Sequence, residues 1–301
     1  MRLIALSACG WLAVASAAHG QAADAPPIAY AYAPYNAGRM DPQLVGWPPS
    51  EAERAYALRP EHDRRPGREA NRHLPAMWPV TPSAGSWGGT TWLDLHAKLA
   101  EAVASRRDPV DVLLVGDSIT MQWGPAWARH FPDRPAVNLG IGGDKTQNVL
   151  WRLDHGGVAG LAPRVVVLMI GNNNMFFAPE TGIEPAARGI AACAANLRAR
   201  FPDATLVVAD ILPAHAPGDR FYEDIKKTNA ALDALKLDAD PKVRRLRLWP
   251  EFVNPDGTLK AALYTPDRIH LTQEGGYALY AERLRPLLAR PATAAAPPVG
   301  R

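Results

Sequence analysis

The sequence predicts an α/β domain in three layers, a parallel five-stranded sheet with helices on both faces. Three observations carry that reading. Short apolar runs rich in β-branched residues recur from Asp111 onward, helical patterns separate them, and several runs end in stretches of Gly, Asp, Ser or Asn. Strands covered on both faces by crossover helices read as near-continuous apolar runs, and ligands of such sheets gather at the strands' carboxyl ends.

Taken in order, "TWLDLHAKLAEAV" sets Trp92, Leu95, Leu99 and Val103 at helical spacing. "DVLLV" (111–115), "AVNLGI" (136–141), "RVVVLMI" (164–170) and "ATLVVADIL" (204–212) read as strands. "KVRRLRLW" (242–249) reads as a fifth, more exposed by its charges. After the first strand "ITMQWGPAWARHF" starts a helix, and "LTQEGGYALYAERLRPLLA" (271–289) closes the domain as another, with Thr272 placed to cap it.

The chain has 301 residues, 48% of them hydrophobic and 21% charged, enough to bury a full core. Its net charge of +3 comes without a Lys/Arg block, so nothing marks a nucleic-acid or anionic-membrane partner. Residues 1–22 combine one Arg, an apolar run and a small-residue end, the pattern of a signal peptide, and imply an exported, periplasmic or extracellular protein with no stable membrane insertion after cleavage. An uncleaved anchor is the alternative, although the run is short for a membrane span. "LSAC", ending at Cys9, also resembles a lipoprotein processing box on a very short apolar stretch. With Cys9 removed, Cys193 is the single cysteine of the mature chain, so no internal disulfide staples it. Residues 23–90 form a Pro-rich extension with many aromatics, residues 91–290 the α/β domain, and "PATAAAPPVGR" (291–301) a disordered tail.

Ser118 stands at the carboxyl end of the first strand, where chemistry in such sheets gathers. A serine hydroxyl is a poor nucleophile until a base takes its proton, and the base needs a third group to fix its tautomer. "PDRIHLT" supplies Asp267 and His270, spaced so that the carboxylate reaches one imidazole nitrogen while the other faces the serine. Acyl transfer also needs donors aimed at an oxyanion. Gly143 in "NLGIGGDKT" offers a backbone N–H, Asn173 in "MIGNNNMFF" a side-chain amide, and Ser118 its own N–H, from three neighbouring strand ends. Each piece alone is common; the constellation is specific.

These blocks resemble the SGNH hydrolases, also called the GDSL family. "GDSIT" is similar to its nucleophile block, "NLGIGGD" to its glycine block, "IGNNN" to its asparagine block and "DRIH" to its closing block. The resemblance runs from about Asp111 to Leu288 and is nearest, in "NLGIGGDKTQNVLWRL" and "VVVLMIGNNN", to the catalytic subunits of intracellular platelet-activating-factor acetylhydrolases and their bacterial relatives. It implies a flavodoxin-like fold, a Ser118, Asp267, His270 triad and an oxyanion hole from Ser118, Gly143 and Asn173. Two departures stand out: Asn172 is an unusual neighbour for Asn173, and "ILPAHAP" replaces the relatives' "ILPRG", bringing His215 near the pocket. Asn172 and His215 are therefore candidates for the pocket rim, and Trp123, which reads as core or pocket wall, is a third.

Competing readings are weaker. "GIGGD" lacks the last glycine of a dinucleotide fingerprint, no phosphate-loop motif follows, and the α/β-hydrolase elbow is absent. No compact zinc spacing occurs, so neither a metal nor a cofactor is implied. Asp117 is expected to brace its turn through local backbone hydrogen bonds. The expected function is a secreted serine esterase of short-chain, chiefly acetyl, esters, with a small-molecule or carbohydrate substrate. A lysophospholipase or thioesterase on the same triad, and a non-catalytic secreted binding module, are the alternatives; the oligomeric state stays open.

Overall fold

The computed structural model describes residues 86–87, 90–155, 158, 160–177 and 183–289. The expected signal peptide, the 291–301 tail, and the 23–90 extension apart from 86–87 and 90 lie outside the described residues. A small antiparallel pair, Ser86–Trp87 with Thr90–Thr91, leads into helix α1 (Trp92–Ala104).

The sheet comprises β1 (Val112–Gly116), β2 (Ala136–Asn138), β3 (Val165–Met169), β4 (Thr205–Ala209) and β5 (Val243–Leu246), all paired in parallel. Their spatial order is β2-β1-β3-β4-β5, the doubly wound flavodoxin-like arrangement with its switch point between β1 and β3. The predicted strands are all present; β1 is shifted by one residue from its run and the other four are shorter than theirs, and at β2 and β3 the residues that follow the ladder carry Gly143 and Asn173.

Period-two alternation sorts the strand residues into two cores. Leu113, Val115, Val166, Leu168, Leu206 and Val208 face one side, under α4 (Thr146–Asp154), α6 (Ile183–Arg200) and α7 (Arg220–Ala234). Val112, Leu114, Val165, Val167 and Val207 face the other, under α3 (Gly124–His130) and α9 (Gly276–Leu288). Each fully buried Val or Leu contributes about 1.5–3 kcal/mol, so the sheet is held from both faces. β5 is an edge strand, its exposed Arg244 suits that position, and the short helix α8 (Trp249–Phe252) follows it.

Two expectations about helices change. The segment after β1 is not one helix but α2 (Ser118–Met121) and α3, divided at Gln122 and Trp123. The last helix starts at Gly276, and Thr272 serves it from a preceding turn, its Oγ1 accepting from Gly276 N at 3.1 Å. Among the described residues no helix is long and apolar enough to cross a membrane.

Candidate active site

The carboxyl ends of β2, β1 and β3 lie side by side and deliver Gly143, Ser118 and α5 (Asn172–Phe177) to one edge of the sheet. Ser118 opens α2, where first-turn amides have no intrahelical acceptor. Asp117 caps that turn, its Oδ1 accepting from Ile119 N at 3.0 Å as expected. From the far end of the chain, Tyr277 donates its hydroxyl to Ile119 O (2.6 Å) and Gln273 its amide to Gln122 O (3.0 Å), fastening the Ser118 turn to α9 and the turn before it. Gly140 is required by close approach, since a Cβ there would strike the backbone of Met121. Gly143 is required by conformation, with φ at +81°, a region that favours glycine.

The closing block folds back as a tight loop. Thr265 N donates to His270 O at 2.8 Å, and Tyr264 pairs with Leu271, so residues 265–270 are pinched at their base. Inside the loop Asp267 Oδ1 accepts from the Thr265 hydroxyl (2.7 Å), Ile269 N (3.0 Å) and His270 N (3.0 Å). Its other oxygen is left for His270 Nδ1, at 2.6 Å, and His270 Nε2 lies 2.9 Å from Ser118 Oγ. Partial burial of Asp267 opposes ionisation, yet the His270 ring, the two backbone donors and Thr265 hold the carboxyl well below its usual range. An ionised carboxylate only accepts, so Nδ1 carries the imidazole proton and Nε2 presents a lone pair to the serine hydroxyl.

The structure thus brings Ser118, Asp267 and His270 into one hydrogen-bonded line, although Ser118 and His270 are 152 residues apart in sequence. Asn173, in the first turn of α5, is buried, and its Nδ2 donates to Asp144 O at 2.9 Å, tying α5 to the glycine loop. Asn172 is also buried, beside it. His215 is half-buried on the loop after β4, its ring edge-on to Phe221 and Phe176. Trp123 is a correction: at 2% exposure it lies in the core against Trp127, Tyr277 and Tyr280, not at a rim, because the break between α2 and α3 turns its indole toward α9.

The GDSL-like lipase/acylhydrolase family model matches residues 114–278, from within β1 into α9, spanning every element just described at the sheet edge. The chain belongs to this family. Among its relatives, platelet-activating factor acetylhydrolase IB subunit alpha1 of Homo sapiens is 34% identical over 221 residues, 72% of this chain and 90% of that one. The alpha2 subunit of Mus musculus is 33% identical over 206 residues, 67% of this chain and 85% of that one. A GDSL-like lipase from Bacteroides thetaiotaomicron VPI-5482 shares the fold with a TM-score of 0.53 at 22% identity, covering 64% of this chain and 96% of that one. The family identity makes this GDSL-type chain an ester-hydrolysing enzyme acting on small-molecule esters.

Sequence reasoning missed a polar cluster behind the glycine loop. Asp144 is fully buried; its Oδ1 accepts from Trp92 Nε1 at 2.7 Å and its Oδ2 from Arg152 Nε at 2.8 Å. Asp144 and Arg152 both fall inside the stretch that carried the family resemblance, but nothing local pairs either with Trp92, 52 residues before Asp144. Burial pushes the Asp144 carboxyl above the ordinary carboxylate range, while Arg152 and the Trp92 N–H pull it back, so it remains ionised at neutral pH.

Proposed function

We propose that this enzyme hydrolyses short-chain, chiefly acetyl, carboxylic esters by a Ser118, His270, Asp267 mechanism. The observation that carries the reading is the line from Asp267 Oδ2 through the imidazole to Ser118 Oγ, at 2.6 and 2.9 Å. Ser118 Oγ attacks the ester carbonyl carbon as its proton passes to His270 Nε2. The imidazolium is stabilised by Asp267, and the oxyanion is met by the N–H groups of Ser118 and Gly143 and the Asn173 amide. The tetrahedral intermediate collapses, the C–O bond to the alcohol breaks, and His270 returns the proton to the departing oxygen. Water, deprotonated by the same nitrogen, then attacks the acyl-serine and releases the carboxylic acid.

The preference for a small acyl group rests on the relatives named acetylhydrolases. We read residues 1–22 as an export signal, which favours an acetylated carbohydrate as the alcohol half, met outside the cytoplasm.

The test is hydrolysis of p-nitrophenyl acetate, butyrate and octanoate by the full chain and by Ser118→Ala. Expected are a preference for acetate and loss of nearly all activity in the variant. Equal activity in both proteins would remove the serine route, and a preference for octanoate would remove the small acyl group. Release of acetate from acetylated oligosaccharides tests the carbohydrate reading.

A further inference from the structure

The buried cluster behind the glycine loop touches all three strand ends that supply the proposed oxyanion donors. Asp144 follows Gly143 directly, and its carbonyl accepts the Asn173 side-chain amide at 2.9 Å. Arg152, which clasps the Asp144 carboxylate through Nε (2.8 Å) and Nη2 (2.6 Å), also donates from Nη1 to Leu139 O (2.7 Å), where the glycine loop leaves β2. Its Nη2 reaches Gly116 O at 3.3 Å, two residues before Ser118. One guanidinium thereby joins the roots of the β1 and β2 loops, and one aspartate joins the β2 loop to α5.

The last donor comes from outside the family match. Trp92 is the first residue of α1, upstream of residue 114, and its indole N–H closes the cluster on Asp144 Oδ1. The indole is held in place by its own neighbours, with the His96 ring stacked at 5.7 Å and Trp151 tilted against it at 5.5 Å. His96 Nε2 in turn lies 3.0 Å from His155 O at the end of α4. Helix α1 thus reaches the residues of the family match through its indole N–H.

We propose that Trp92 is a positioning residue for the oxyanion site, acting through the Asp144–Arg152 pair to fix Gly143 and Asn173 against Ser118. Without the indole donor, Asp144 Oδ1 is left buried and unsatisfied, an expensive state that the carboxylate relieves by turning toward its remaining partners. Turning it moves residues 143–144 and the carbonyl that holds Asn173. The donors then meet the oxyanion off line while substrate, bound with a planar carbonyl, is scarcely affected. This inference rests on the serine mechanism proposed above, and Ser118→Ala is assayed alongside so that the two can fail separately.

The experiment compares Trp92→Phe with His96→Phe, two changes in one helix and one aromatic cluster of which only the first removes the Asp144 donor. For Trp92→Phe, kcat on p-nitrophenyl acetate is expected to fall about tenfold or more, short of the loss of a whole donor, with KM within about twofold. A trifluoromethyl ketone, whose serine adduct carries an oxyanion, should bind more weakly by the same factor as kcat/KM. His96→Phe should lower Tm comparably and keep kcat within about twofold. Unchanged kcat in Trp92→Phe, an equal loss of kcat in His96→Phe, or a rise in KM alone would each overturn the proposal. Should Trp92→Phe not fold, Arg152→Lys, which gives up the fork onto Asp144 and Leu139 O, must show the same joint fall in kcat and ketone affinity, and its absence would equally overturn it. Full activity in Ser118→Ala would instead remove the underlying mechanism.

Discussion

His215 and Arg268 hold one another's backbone: His215 N donates to Arg268 O at 3.1 Å, and Arg268 Nη2 donates to His215 O at 2.6 Å. Both residues are left-handed, with φ of +66° and +59°, a conformation that costs a non-glycine residue about 1–2 kcal/mol. Arg268 sits between Asp267 and His270, so this exchange braces the loop that aims the imidazole, as does Tyr264 by donating its hydroxyl to Pro213 O at 2.8 Å.

We expect the backbone of His215 to matter more to the site than its imidazole, whose Nδ1 lies 3.6 Å from Asp219 Oδ1. His215→Gly keeps the exchange with Arg268 and relieves the left-handed strain, at the expense of the ring's packing on Phe221 and its contact with Asp219. Its kcat/KM is expected within about threefold of the parent, a barrier change under about 1 kcal/mol. Arg268→Ala keeps the strain and loses the guanidinium bond, and should lower both Tm and kcat. A loss in His215→Gly larger than in Arg268→Ala would give the ring a substrate contact.

Asp267 faces a stricter requirement. Its Oδ1 is occupied by three donors, so only Oδ2 can accept from His270 Nδ1. In Asp267→Asn the amide places an N–H at that position, which forces the imidazole proton onto Nε2 and leaves no lone pair for Ser118. We expect kcat to fall about 10⁴-fold with KM nearly unchanged. Steady-state kinetics with p-nitrophenyl acetate check this, and a fall of less than tenfold would mean that Asp267 does not set the tautomer.

Much of this geometry was legible in the sequence for a physical reason. Ser118, Gly143, Asn173 and the Asp267, His270 pair each follow a strand or precede the last helix, and a parallel sheet collects such positions at one edge. The period-two cores were implicit in the same apolar runs. Trp123 misled because an aromatic beside a nucleophile turn looks the same in sequence whether it faces solvent or core. Trp92, Asp144 and Arg152 could not be joined, because a buried polar cluster is specified by which elements the fold brings together, and local periodicity carries no such pairing.

Asn173 has two amide hydrogens, of which one goes to Asp144 O and the other is the proposed oxyanion donor. Asn173→Ala removes both, so kcat should fall about 10²- to 10³-fold, the range for deleting one such donor. The trifluoromethyl ketone should weaken in step. A loss confined to KM would place Asn173 in substrate binding and remove it from the oxyanion site.

Asp117 lies beside Ser118 at 1% exposure, with Oδ1 on Ile119 N and no partner within the described residues for Oδ2. Burial raises its pKa to about 7, the Asp144 charge adds to the rise, and the Ile119 N–H opposes it. Tyr277 and Tyr280 from α9 interact with the same carboxyl; burial raises both phenols, and the Asp117 charge adds to the rise. The folded protein then binds this proton more tightly than the unfolded chain, so Asp117 stabilises the fold least where it is ionised. Its contribution declines as pH rises from about 4 to about 7 and is at its worst above that. Asp117→Asn does not titrate and keeps an acceptor for Ile119 N. Relative to the parent it should gain stability on the order of a few kcal/mol between pH 4 and pH 8. Denaturant unfolding of both proteins across that range provides the measurement. A stability difference that does not change with pH would mean that Asp117 is ionised throughout, held by a partner that its unfilled Oδ2 does not reveal.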